Sequence, residues 1–215
     1  MPFETTSEDF LRFLPNYLTR EDKDRLADAL EQFKVEKSQA WNSKLLTHFY
    51  SRNPFDYFLQ GDLLRQIRYA NWNAESKSFD KIYLNAIILS NTCDLDLSNQ
   101  RNITKEVVLA PLTEFRRYKQ KLEMRIGSGE KLKSLEDGIK AQVYSSLLYL
   151  PPAPGTTDDF VCHLDKAFWF PTEELNSYLP DLSQTRISSL DYFGYYLFLV
   201  KLSYHFCRLP EEKQR

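Results

Sequence analysis

Two aliphatic segments separated by a polar loop constrain the fold of this 215-residue chain most strongly. The first segment runs from Ile82 to Ser90 (IYLNAIILS), and the second runs from Glu106 to Pro111 (EVVLAP). Short runs of this composition, bounded by polar or turn residues, are typical of buried strands. The loop opens with Ser-Asn-Thr-Cys-Asp at residues 90–94. Because a strand end fixes loop side chains while leaving them exposed, this loop is a candidate site.

The rest of the chain predicts an α+β fold in a single domain, 1–215. Amphipathic patterns predict a helical N-terminal region over 1–53, a helical insertion over 113–142 and a helical C-terminal region over 171–215. The core over 54–170 should contain the strands, and the polar stretch 71–80 is predicted as a loop. Because the elements do not alternate regularly between strand and helix, we expect one small, strongly bent antiparallel sheet or barrel. The predicted strands are Leu63–Tyr69, Ile82–Leu89, Val107–Ala110, Val143–Leu150 and Phe160–Trp169.

A long apolar helix is predicted near the C-terminus. Ser188, with Asp191 three residues later, resembles a capping box that opens a helix reaching about Cys207. Apolar residues follow at helical spacing, so the helix should be buried on more than one side. These residues are Leu190, Phe193, Leu197, Val200 and Tyr204. Charged residues interrupt the run, which is too short and too polar for a membrane span.

Composition narrows the function classes. The chain is 42% hydrophobic and 14% aromatic, as expected of a packed globule, and its net charge of −2 provides no general attraction for nucleic acid. Its cysteines, Cys93, Cys162 and Cys207, are odd in number and lack CxxC spacing, which argues against a disulfide framework or a zinc site. The N-terminus has no signal-peptide pattern. We therefore predict a cytoplasmic protein with no cofactor, no metal and no membrane partner.

Cys93 and Asp94 are the first candidate catalytic residues. A cysteine becomes a nucleophile when a nearby base or positive charge lowers its pKa, and His48, His163 and His205 are possible bases. A single cysteine at the end of a strand is more often a small buried residue.

The Asp94-to-Asn99 stretch imitates the start of a calcium loop. Glycine is missing at the sixth position, where Asn99 stands, and an acidic residue is missing at the twelfth, where Lys105 stands. Turn formation by the polar side chains of this stretch is therefore the favoured interpretation.

A basic segment follows Thr113 on a predicted helix. Its cations are Arg116, Arg117, Lys119, Lys121 and Arg125. Such a helix could contact phosphates while Tyr118 stacks on a base, with Arg116, Arg117 and Lys119 as the nucleic-acid-binding residues. A solvated outer helix face with Tyr118 buried is the alternative.

Residues 57–113 resemble the MazF/PemK family of small SH3-like barrels. The resemblance rests on Gly61-Asp62-Leu63 opening one strand, on Ala86-Ile-Ile-Leu-Ser90 as the next, and on Val107-Val-Leu-Ala-Pro-Leu-Thr113 as the third. It implies an SH3-like barrel. In members of the family that act as toxins, it also implies RNA cleavage by the Thr of a Pro-x-Thr motif, here Thr113, and a basic residue before the second strand. Leu84 and Asn85 occupy the positions of that basic residue and its proline, and Lys81 is the nearest cation.

Three functional hypotheses follow. The first is a non-catalytic bacterial or phage-associated binding protein, related to toxin–antitoxin or phage-defence systems, whose partner is either a protein or a nucleic acid. The second is a divergent endoribonuclease that uses Thr113 with Lys81 or Arg116. The third is an enzyme dependent on Cys93. The first is favoured because no complete catalytic set can be assembled from the sequence, which does not predict the oligomeric state.

Overall fold

The structure is a computed structural model that describes residues 20, 49–51, 55–96, 98, 106–153 and 156–206, with Tyr192 described by its backbone alone. The described part of the chain has an α+β fold built on an eight-stranded antiparallel sheet. Its strands are β1 (Tyr50–Ser51), β2 (Leu63–Asn73), β3 (Ser78–Ile88), β4 (Glu106–Glu114), β5 (Leu147–Leu150), β6 (Phe160–His163), β7 (Phe168–Pro171) and β8 (Arg186–Leu190). Its helices are α1 (Thr92–Leu95), α2 (Phe115–Ile126), α3 (Glu130–Lys140), α4 (Thr172–Asn176), α5 (Leu182–Thr185) and α6 (Tyr192–Phe206), with 3-10 turns at Leu164–Lys166 and Leu179–Asp181.

The strands lie in the order β1-β8-β2-β3-β4-β6-β5, and β7 also pairs with β4. β4 therefore has three partners: β3 on one side, and β7 and β6 at successive positions on the other. The predicted α+β class and the antiparallel sheet are confirmed. The sheet does not close into a barrel.

Helices cover both faces of the sheet because successive strand residues point to opposite sides. On one face, Ile87 of β3 belongs to a core cluster with Leu197 and Phe198 of α6. On the other face, Ile88 packs in a second cluster with Leu175 of α4. A third cluster lies where α2 and α3 cover β5 and β6, and its buried members are Phe115, Ile139, Tyr149 and Val161.

The prediction of a loop over 71–80 was wrong. β2 continues to Asn73 and β3 begins at Ser78, so the two strands form a long hairpin. Its turn is closed by the Asn73 side chain, whose Oδ1 accepts hydrogen bonds from the backbone N–H groups of Glu75 and Ser76. The strands of this part are solvent-exposed on both sides for most of their length, and exposed strands need no aliphatic pattern.

Two predicted strands have different bounds. β5 starts at Leu147 and not at Val143 as predicted. The chain turns between α3 and β5, where Gln142 adopts a left-handed conformation with φ of 60°. The segment Phe160–Trp169 forms two strands, since the Leu164–Lys166 turn redirects the chain after β6. β6 then pairs with the C-terminal end of β4, and β7 pairs with its N-terminal end.

The C-terminal helix exists but begins later than predicted. Ser188 lies in β8, a strand that the sequence did not predict, and α6 begins at Tyr192. Phe193 and Leu197 are buried, whereas Tyr204 near the end of the helix is exposed. The helical region predicted over 1–53 lies almost wholly outside the described residues, but its described end was predicted wrongly, because Tyr50–Ser51 pairs with β8 as the strand β1. The predicted helix end at Cys207 also lies outside the described residues. No helix within the described ranges has the length and apolar character needed to cross a membrane.

Candidate functional site

The polar side chains of the loop after β3 support the loop itself. The hydroxyl of Ser90 accepts a hydrogen bond of 2.8 Å from the backbone N–H of Val108. Asn91 caps α1, since its Oδ1 accepts the N–H of Cys93 at 3.0 Å. Farther along, Asp96 accepts both the backbone N–H and the hydroxyl of Ser98, and these bonds lower the pKa of Asp96. These contacts agree with the turn-forming interpretation.

Cys93 and Asp94 lie on the one-turn helix α1, and both are exposed. The loop that leads to them is fixed at Val108, five residues before Thr113 on β4. Because a strand advances about 3.3 Å per residue, Val108 and Thr113 are about 17 Å apart. The structure therefore places the Ser90–Val108 anchor of the loop and Thr113 at different ends of β4.

Thr113 is half-buried in β4, opposite Val161 of β6, and the first turn of α2 with Arg116 follows it directly. Lys81 belongs to the outer half of β3, four residues before the segment that pairs with β4. It is thus about 13 Å along the strand from that segment. Arg116 is the candidate cation that the chain brings nearer to Thr113 in sequence and in the fold.

His163 and His205, two of the three histidines proposed as bases, lie on β6 and α6, not on the turn that carries Cys93. His163 is buried in β6, and its ring packs edge-on against Tyr118 with centroids 5.2 Å apart. Burial, followed by the nearby charge of Lys166, lowers the pKa of His163. His205 lies near the end of α6, and His48 lies outside the described residues. Among the described residues, no group of three or more His, Cys, Asp or Glu is placed to hold a metal ion.

The cations predicted to bind nucleic acid lie on α2 and divide into two sets. Arg117 pairs with Glu114 at 2.8 Å, and Lys119 pairs with Glu136 of α3 at 2.7 Å. The contact with Glu136 also raises the pKa of Lys119. Arg116, Lys121 and Arg125 are exposed, and none of them forms an ion pair with a described carboxylate.

The two helices α2 and α3 together form a basic surface, which we call the basic helical pair (115–140). It contains eight Lys and Arg against four Asp and Glu, a net charge of +4 in a chain whose total is −2. The inward side of α2 carries Phe115, Tyr118 and Leu122, which pack over the sheet. Its outward side is therefore left to the cations.

Asp62, part of the Gly-Asp motif, lies in a hydrogen-bonded network that holds two segments of the fold together. Its side chain is fully buried, and its Oδ2 accepts hydrogen bonds from the Leu59 N–H at 3.0 Å and from Arg186 Nε at 2.8 Å. Arg186 also donates to the carbonyls of Phe55 and Tyr57. Burial raises the pKa of Asp62 despite these partners. The network ties the 55–62 segment to β8.

The hairpin of β2 and β3 carries a surface that the sequence analysis missed. Residues that face each other across an antiparallel pair point to the same side. The pairs Arg68–Tyr83, Ala70–Lys81 and Trp72–Phe79 thus form one surface, the outer hairpin face. The signal for it was present: the alternating patterns Arg-x-Ala-x-Trp and Phe-x-Lys-x-Tyr have the two-residue period of a strand.

Comparison of the sequence with protein-family models and with curated proteins found no match. The resemblance of residues 57–113 to the MazF/PemK family therefore stays a prediction. Functional proposals for this chain rest on its own residues and on their arrangement.

Proposed function

We propose that this protein is a non-catalytic nucleic-acid-binding protein that contacts the phosphate backbone through the basic helical pair. The observation that carries the proposal is the exposed set Arg116, Lys121 and Arg125, none of which forms an ion pair with a described carboxylate. Binding of phosphates by such cations is favourable because it releases the counterions that are condensed on the nucleic acid. The remainder of the chain is net acidic, so contact with nucleic acid depends on places where cations are locally exposed.

Absence of catalysis is part of the proposal. The candidate catalytic residues Cys93 and Asp94 lie on an exposed turn, and the anchored loop leading to them is about 17 Å from Thr113 along β4. A nucleophile needs a base within hydrogen-bond reach, and His163 is buried against Tyr118 beside the other end of β4. A role in toxin–antitoxin or phage-defence systems is proposed from the resemblance of residues 57–113 to the MazF/PemK family.

The proposal is tested by titrating RNA and DNA, single- and double-stranded, with the protein at several salt concentrations. In the variant Arg116→Gln/Lys121→Gln/Arg125→Gln, binding should weaken for every sequence, and the salt slope should fall by about 0.7 to 0.9 for each phosphate that is no longer neutralised. Glutamine is chosen because it retains helix propensity. Arg65→Gln, which removes an exposed cation from β2, is the control and should bind as the wild type does.

Wild-type protein that binds no RNA or DNA at low salt would refute the proposal and favour a protein partner. The divergent endoribonuclease is the second candidate, because Thr113 immediately precedes the basic helix and Arg116 lies in its first turn. Cleavage of RNA by wild type that is lost in Thr113→Ala, with binding retained, would make it the better assignment. Loss of cleavage in Cys93→Ser instead would favour the cysteine-dependent enzyme.

A further inference from the structure

The outer part of the β2–β3 hairpin extends beyond the rest of the sheet. β8 pairs with β2 at Leu63 and Leu64, and β4 pairs with β3 from Asn85 to Ile88. Within the described part of the chain, the hairpin beyond these contacts, residues 68–83, has strand pairing only between its own two strands. Such an arm is available to an incoming molecule.

The two faces of this arm have different roles. On the inner side, Tyr69 packs against Phe168 of β7 with ring centroids 4.6 Å apart, which attaches the arm to the core. On the outer hairpin face, Trp72, Phe79 and Tyr83 are 54%, 68% and 60% exposed. Three large aromatic side chains left in water on one small surface mark an interaction site, because folding does not need them there.

A lysine, Lys81, lies among the aromatic side chains of the outer hairpin face. The Trp72 and Phe79 rings contact each other edge-to-face at 5.2 Å, and Lys81 Nζ lies 5.7 Å from the centre of the Tyr83 ring. Lys81 forms no ion pair with a described carboxylate, while Arg68 pairs with Glu174 of α4. Asp80, which precedes Lys81 on β3, accepts a hydrogen bond from the Asn73 amide at its Oδ2.

An open groove of about 310 Å³ lies beside these residues, between the hairpin and α4. Phe79, Lys81 and Arg68 contribute to its lining together with the carboxylates of Asp80 and Glu174, and Glu174 is paired with Arg68. An aromatic ring and a cation around one concave surface suit a planar base joined to a phosphate. Bases within a duplex stack on each other and cannot reach such rings, so this surface fits single strands.

We propose that the outer hairpin face binds single-stranded nucleic acid, with bases stacked on Trp72, Phe79 and Tyr83 and a phosphate held by Lys81. This inference rests on the proposed nucleic-acid-binding function and adds a second surface to the basic helical pair. The helical pair contacts backbone in any strand form, whereas the hairpin selects strands whose bases are unpaired.

The test measures fluorescence anisotropy of labelled poly-uridine RNA, poly-thymidine DNA and a duplex of matched length with the full chain. Trp72→Thr/Phe79→Thr/Tyr83→Thr keeps residues that favour strands. It should lower single-strand affinity at least about tenfold, because the bases lose the rings on which they stack, and leave duplex affinity within about twofold. Trp169→Thr removes a 76% exposed aromatic from β7 and is the matched control, with no expected change.

A direct readout uses Trp72 fluorescence in a Trp41→Phe/Trp169→Phe background, where single strands should quench the emission. This measurement needs no hairpin substitution, so it decides the question even if the triple variant fails to fold. Unchanged single-strand affinity in a folded triple variant, or absence of quenching, would overturn the inference. If the Arg116/Lys121/Arg125 variant still weakened binding in that case, the proposed function would stand. Equal losses for single strands and duplex would overturn the selectivity, and wild type that bound neither would overturn both proposals.

Discussion

Lys201 is a buried cation on α6, and the pH dependence of stability should reveal it. Its Nζ donates a hydrogen bond of 2.6 Å to the backbone carbonyl of Gln142, and it forms no ion pair with a described carboxylate. Burial lowers the pKa of Lys201 from 10.5 to about 8. The folded protein therefore holds this proton less tightly than the unfolded chain does.

The sign of the effect follows from this difference. Below about pH 8 the lysine is charged in both states, and the folded state bears the full cost of burying the charge. As the pH rises from about 8 to 10.5, the folded protein loses the proton first and the cost disappears. The lowered pKa corresponds to about 3 kcal/mol, and partial screening by solvent reduces this to about 2 kcal/mol. Stability should increase with pH by this amount through this group.

The assay is urea unfolding of wild type and Lys201→Met at pH 7 and pH 10. Methionine has a similar length and no charge, so the fold should be retained. The stability of wild type relative to the variant should rise by about 2 kcal/mol between the two pH values. Tyrosine ionisation cancels in this comparison because both proteins are measured at each pH. Lys133→Met, which removes an exposed lysine, is the control, and an equal wild-type-to-Lys201→Met difference at both pH values would refute the reasoning.

Three further substitutions test the packing. Gly194→Ala should strongly destabilise the protein, because an added Cβ would lie 2.3 Å from the carbonyl oxygen of Phe49; an unchanged melting temperature would show that α6 does not pack there. Leu197→Ala should cost about 2–5 kcal/mol in urea unfolding as a truncation of a nearly fully buried side chain. Arg186→Met should cost about 3–5 kcal/mol because it leaves the Asp62 carboxylate buried without its cation, and Arg186→Met/Asp62→Asn should recover part of this loss.

The sequence predicted correctly those strands whose aliphatic pattern matches their burial in the structure. The predicted strands Ile82–Leu89 and Val107–Ala110 coincide with β3 and β4. Both sides of the chain face the core over 86–89 and 107–110, whereas Ile82 and Tyr83 are exposed. β8 was missed because its sequence, Arg-Ile-Ser-Ser-Leu, is half polar. It is a strand because β1 and β2 pair with it, and local sequence does not contain that information.

The candidate site was predictable in position but not in role. The loop after Leu89 is exposed as expected, yet Ser90 and Asn91 accept hydrogen bonds from backbone groups that only the folded chain brings near. The ion pairs that occupy Arg117 and Lys119 likewise depend on tertiary structure for Glu136. The outer hairpin face is not predictable from the sequence in the same way: its outer strands are mostly exposed on both sides, so the polar stretch 71–80 has no aliphatic pattern that indicates a strand.

The position of β8 has a consequence for synthesis on the ribosome. β8 lies between β1 and β2, so β1 finds its strand partner only after residues 186–190 have been made, and β2 has β3 as its sole neighbour until then. Until Arg186 emerges, a nascent chain that buried Asp62 would bury an uncompensated negative charge. Late partners of this kind slow folding and expose unpaired strand edges to aggregation. The sheet is therefore completed only after residues 186–190 have been translated, and truncation before residue 186 should lower the soluble fraction of the expressed protein.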